Sequence, residues 1–167
     1  CLTGRELAPF LEQDRVELAE LKRKGIELEH LGAFMQYLIN EGSQKPHGSV
    51  IDELFNMQMS RDSLQEMRSS WTKWGYGDCP FVSCPAKMFP NHDVLLRKIT
   101  DDWENEPQLR LNDISTHLVR HHGLFQKGGE RDQLYPTSPT QFAEDYFIPW
   151  RAEVKNYKQI LGRFMNE

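Results

Sequence analysis

Long hydrophobic runs are missing from this chain: no apolar stretch approaches the ~20 residues needed to cross a bilayer, so a helical membrane span is not expected. Cysteine is scarce and odd in number, at three, and there is no Asn-x-Ser/Thr sequon and no signal-like opening segment. Together these predict a reducing compartment, nuclear or cytoplasmic, rather than a disulfide scaffold. Neither sign of charge dominates. With 20 basic and 25 acidic side chains the formal net charge is −5, which disfavours a broad electrostatic grip on phosphates. Also absent are a phosphate-binding loop, a dinucleotide-binding glycine pattern after a strand, and a Gly-x-Ser-x-Gly elbow. No strand-forming run exceeds a few residues, and no internal repeat or low-complexity segment is present. These absences point away from an enzyme, leaving open one that would use Cys84 or an acidic cluster.

What is present reads as one helical domain. A length of 167 residues suits a single core, and 38% hydrophobic with 27% charged residues is ordinary for a globular chain. The chain opens at Cys1 rather than at methionine, which fits a processed terminus, a lipid-modified cysteine or, most simply, a piece of a longer protein. Residues 3 to 24 carry Leu7, Leu11, Leu18 and Leu21 on one side, with Thr3 and Glu6 in capping-box spacing and Gly25 as stop. A second helix, 27 to 41, aligns Leu28, Leu31, Met35 and Leu38 and ends at Gly42. The spacing predicts a third with Ile51, Leu54 and Phe55, continuing through Leu64, Met67, Trp71 and Trp74.

Residues 75 to 91 change character. Gly75, Gly77, Pro80, Pro85 and Pro90 forbid regular helix, and Cys79 and Cys84 are embedded among them as an irregular knuckle. Helical patterning resumes with Val94, Leu95, Ile99 and Trp103, breaks at residues 105 to 107, and returns from Asn112 to His122 with Gly123 as stop. Further helices hold Phe142 and Phe147, ending by Pro149, and then Val154, Tyr157, Leu161 and Phe164. The expected fold class is mainly α, a multi-helix single domain over 1 to 167. Its sub-regions are N-terminal helices (1 to 74), a finger-like segment (75 to 123) and C-terminal helices (124 to 167).

The chemistry gathers at one place. Two thiols with four residues between them in a Pro- and Gly-rich turn can reach one tetrahedral centre, and His117 and His121, at i and i+4, project from one helix face. Cys79-Pro-Phe-Val-Ser-Cys84 resembles the knuckle of a two-Cys two-His zinc finger, and Thr116-His117-Leu118-Val119-Arg120-His121 resembles the end of its helix. The resemblance implies a structural zinc held by Cys79, Cys84, His117 and His121, with His92 in reserve. It departs from the family in its spacer: residues 85 to 116, 32 of them, replace the usual run of about twelve. Without metal, the same residues are two reduced buried cysteines and a helix end whose His121 and His122 favour the dipole.

Other constellations are incomplete. No glutamate follows His117 as a zinc protease requires, and only Glu27-Leu-Glu-His30 supplies half of a carboxylate-bridged di-iron site. The run Asp101, Asp102, Glu104 and Glu106 reads as a solvated helix end anchored by a buried Trp103, and Trp150 reads as a wedge between the last two helices. The helices at 92 to 104 and 112 to 122 loosely resemble a helix-turn-helix, and Arg151, Lys155 and Lys158 fall at helical spacing. The expectation is a zinc-stabilised helical interaction module of an intracellular regulatory protein that binds a protein partner. The alternative is a nucleic-acid-binding module.

Overall fold

The structure, a computed structural model, describes residues 4–45, 48–59, 76–77, 84, 89–90, 93–125, 129–130, 133–134 and 138–165. Two long helices come first. Helix α1 (Gly4–Arg23) places Lys22 and Arg23 in its last turn, where the helix dipole favours positive charge, and Gly25 follows with φ +82. Helix α2 (Leu28–Gln44) buries Leu31, Met35 and Leu38 of the expected stripe, leaves Leu28 half-buried, and adds Phe34 and Ile39 to the core. It runs past Gly42 instead of stopping there. A Cβ at Gly42 would lie 2.5 Å from Val94 Cγ1 and 2.9 Å from Met57 Cε, so this glycine lets α2 lie directly on a sheet.

The fold is mainly α as expected, and that sheet adds a β component that the periodicity did not predict. Helix accounts for most of the described residues, and six strands form one sheet in the order β1-β2-β5-β6-β8-β7. They are β1 (Ser49–Ile51), β2 (Phe55–Met59), β5 (Val94–Lys98), β6 (Gln108–Leu111), β7 (Gly129–Glu130) and β8 (Gln133–Leu134), and every pairing is antiparallel except β6 with β8. A separate pair, β3 (Tyr76–Gly77) and β4 (Phe89–Pro90), frames the cysteine region.

The third helix expected from Ile51, Leu54 and Phe55 is instead the β1-β2 hairpin. Ile51 and Phe55 are four apart because they face each other across it, not because they share a helix face. Its turn puts Asp52 at φ 52 and Glu53 at φ 60, the two positive values of a type I′ turn, closed by Leu54 N–H donating to Ile51 C=O at 3.0 Å. The helix expected from Val94, Leu95 and Ile99 is likewise strand β5, with Val94 and Leu96 in the core while Ile99 is 40% exposed. A helix-turn-helix over these residues is therefore absent. Trp103, expected to be a buried anchor, lies in a short 3₁₀ turn (Trp103–Asn105) and is 42% exposed. The expected continuation through Leu64, Met67, Trp71 and Trp74 lies outside the described residues.

The C-terminal helices pack on α2. Helix α3 (Asp113–His117) continues into a π-helical turn (Leu118–His122). Helix α4 (Pro139–Phe142) continues through a second π turn (Ala143–Phe147) into α5 (Ile148–Glu153), and α6 (Tyr157–Phe164) closes the chain. Pro149 does not end the helix as expected. The wider π turn before it relieves the clash that its ring would make with the carbonyl four residues back.

Core packing centres on Trp150, which is fully buried with ring centroids of Phe34 at 4.7 Å, Tyr37 at 5.6 Å and Phe147 at 6.2 Å. Its Nε1–H donates to Asp52 Oδ2 at 2.8 Å, and the Tyr37 hydroxyl donates to the same oxygen at 2.7 Å. Asp52→Ala strands both donors and is expected to cost about 2 to 3 kcal/mol in urea unfolding. Glu53→Gly removes the penalty of a side chain at positive φ and is expected to stabilise by about 1 kcal/mol.

Burial, the Asp52 hydrogen bond and the Asp52 charge push the Tyr37 phenol well above its ordinary value of 10.0, and burial does the same for Tyr146 with Asp145 and Glu106 adding to it. A group whose pKa rises on folding contributes stability that is whole below its unfolded pKa and lost above it. Unfolding free energy is expected to fall as pH passes about 10, by up to about 1.4 kcal/mol per pH unit for each tyrosine. Tyr146→Phe should flatten that slope in equilibrium unfolding measured between neutral and strongly alkaline pH.

Candidate metal centre

Three donors converge where the segment carrying Cys84 meets the end of α3. The ligand atoms of Cys84, His117 and His122 all lie within 4.8 Å of one another, and Cys84 Sγ is 3.4 Å from His117 Nε2. His117 is buried; Cys84 and His122 are half-buried. Among the described residues this is the grouping that contains sulfur and imidazole together.

Local sequence explains how the histidines come to be there. Asn112 caps α3 by accepting from Ser115 N–H at 2.7 Å, and Ser115 Oγ accepts in return from Asn112 N–H at 3.1 Å. This fixes where the helix starts and so where His117 falls. At the other end Gly123 adopts φ +65, the left-handed stop that its position in the sequence predicts, and its N–H bonds to Leu118 C=O and Val119 C=O. Beyond it, Phe125 N–H donates to the fully buried Asp14 Oδ2 at 2.8 Å, tying the exit of the turn to α1.

Between these anchors lies the π turn, and it changes which histidine joins. In an ordinary α-helix residues i and i+4 share a face, which is why His117 and His121 were paired. The π turn hydrogen-bonds i to i+5 and widens the coil, so His122 swings onto the side of His117 and Cys84. The His117 ring lies 5.2 Å from His122 and 4.7 Å from His121, centroid to centroid, but His121 is exposed and faces a cleft with Arg15, Lys22 and Arg120. Of the residues picked from the sequence, Cys84 and His117 are brought together, His121 is not part of the trio, and Cys79 and His92 lie outside the described residues. His122 was visible in the sequence as a neighbour; only the wider turn selects it.

The electrostatics favour neutral rings. Burial first, then the neighbouring His121 and His122, hold the His117 imidazolium below its ordinary 6.5; burial and then His121 do the same to His122. Neutral imidazole is the form that donates a lone pair to a metal. A second group, Glu27, Glu29 and His30, contains carboxylates instead of sulfur and is explained differently. His30 Nδ1 accepts from Glu27 N–H at 3.4 Å as part of the α2 capping box.

No protein-family model matches this chain, and neither a curated protein nor a solved structure does. No helix among the described residues is long and apolar enough to cross a membrane.

Gly32 holds the π turn against α2. A Cβ there would sit 2.4 Å from Arg120 Cγ, and the Arg120 guanidinium reaches on to donate to the Phe164 carbonyl. Gly32→Ala should push Arg120 away and destabilise the fold by about 1 to 3 kcal/mol, read by chemical denaturation.

Proposed function

We propose that Cys84, His117 and His122 bind one zinc ion with Cys79 as fourth ligand, and that the ion staples a helix-rich interaction module which binds a protein partner. The observation carrying this reading is the Sγ to Nε2 separation of 3.4 Å with a third donor beside it. Zn–S of about 2.3 Å and Zn–N of about 2.0 to 2.1 Å at a tetrahedral angle place sulfur and nitrogen about 3.5 Å apart. A thiolate with two imidazoles suits zinc and not the hard cations, which take oxygen. The ion would tie the segment carrying Cys84 to the end of α3. A structural role fits the absence of catalytic motifs, and the acidic balance of the chain fits a protein partner better than a polyanion. Thiolate ligands imply a reducing compartment, nuclear or cytoplasmic.

Elemental mass spectrometry of the natively purified chain tests this. One zinc per chain is expected, lost in Cys84→Ser and His122→Ala and kept in His121→Ala, and chelation should lower Tm by about 10 °C or more. A well-folded, metal-free wild type would overturn the assignment.

The same 3.4 Å separation supports a second reading, a thiolate–imidazole pair with Cys84 as nucleophile and His117 as its base. Iodoacetamide separates the two. Rapid alkylation of Cys84 near neutral pH, slowed by His117→Ala, favours the nucleophile, whereas protection that chelator removes favours the metal.

A further inference from the structure

The six-stranded sheet has a second face. Phe55, Met57, Val94, Leu96, Leu109 and Leu111 point into the core with α2, so the alternate residues of the same strands point the other way. On that outer side lies a cleft of about 500 Å³, within the size range of small-ligand sites. Its walls include three amides, Asn56, Gln58 and Gln108, together with Arg97, Val50 and Trp103.

The composition is unusual for a solvated sheet face. Val50 is 55% and Trp103 42% exposed, which leaves an apolar branch and an indole at a wet surface. On the adjacent strand Arg110 is paired with Asp93, but no ion pair holds Arg97 among the described residues, and its Nε is buried without a hydrogen-bond partner. A guanidinium fixed in a wall without a carboxylate is a receiver for a planar or tetrahedral anion. Amides offer both donors and acceptors to the edge of a heteroaromatic ring, and an exposed indole offers it a stacking surface.

We propose that this cleft binds a nucleoside monophosphate, with the phosphate on Arg97, the base against Trp103 and its polar edge on the Asn56, Gln58 and Gln108 amides. The charge around the site selects a free nucleotide over a strand. Asp101, Asp102 and Glu104 flank Trp103 in sequence and are exposed, and the chain carries −5 overall, so a long phosphate backbone is repelled where a single phosphate at Arg97 is not. This site is separate from the metal centre and does not depend on it.

Isothermal titration calorimetry of the full chain with AMP, GMP, CMP and UMP, with the matching nucleosides and with a short single-stranded RNA tests the proposal. Saturable binding of at least one monophosphate is expected, weakened about tenfold or more in Arg97→Met, in Trp103→Ala, and on removing the phosphate. Trp103 is exposed, so its replacement leaves the fold intact, and circular dichroism of both variants confirms this. No binding of any of the four monophosphates, or affinity unchanged in both variants, would overturn the site. Tighter binding of the RNA than of every monophosphate would overturn the assignment to a free nucleotide.

Discussion

Two donors on one carboxylate oxygen hold the centre of this protein together. Trp150 is the largest fully buried side chain, and an indole N–H sealed from water without an acceptor would cost about 1 to 3 kcal/mol. Asp52 Oδ2 supplies that acceptor and takes the Tyr37 hydroxyl as well. The bond joins three parts far apart in sequence: the tip of the β1-β2 hairpin, helix α2 and helix α5. Around it Phe34, Phe147 and Tyr157 pack as tilted or edge-on rings, the geometry aromatic quadrupoles favour. The hairpin turn, strained at two non-glycine residues, persists because the aspartate at its tip is held there.

From that centre, order spreads outward to both candidate sites. Helix α2 is the shared wall. Its Gly42 admits the sheet, and its Gly32 admits Arg120 from the turn that carries the histidines. The inner face of the sheet is spent on the core, which leaves the alternate residues, Asn56, Gln58, Arg97 and Gln108, as an outer lining. The end of α3, elsewhere in the fold, places a sulfur against two imidazoles. Each arrangement needs the same rigid helix behind it, so one core serves two surfaces of different chemistry.

Both π turns mark places where regular helix would have failed. The first, at Leu118–His122, rotates His122 into the donor trio; the second, at Ala143–Phe147, makes room for Pro149 and keeps Trp150 directed inward. Neither leaves a periodicity signal, because a single widened turn shifts residues by one position without changing their types. This is why the sequence pairs His117 with His121, at i and i+4, where the structure groups His117 with His122, at i and i+5.

The sequence by itself determined the helices whose apolar stripes are long: α1, α2 with Leu31, Met35 and Leu38, and the run from Asn112 to Gly123, whose cap and left-handed stop are local chemistry. It also determined that Cys84 and His117 were metal-ligand candidates, since soft donors are rare in this chain. Tertiary structure decided the rest. Strands β1, β2 and β5 are short, and the Asp52-Glu53 turn lacks the glycine that announces a type I′ hairpin, because Tyr37 and Trp150 stabilise it from outside the segment. Four-residue spacings such as Ile51 to Phe55 and Leu95 to Ile99 fit a helix as well as a hairpin or a strand over so few residues, and only tertiary packing breaks the tie. The grouping of His122 rather than His121 with Cys84, and the burial of Arg97 Nε without a partner among the described residues, are likewise products of packing, fixed by neighbours that no local pattern contains.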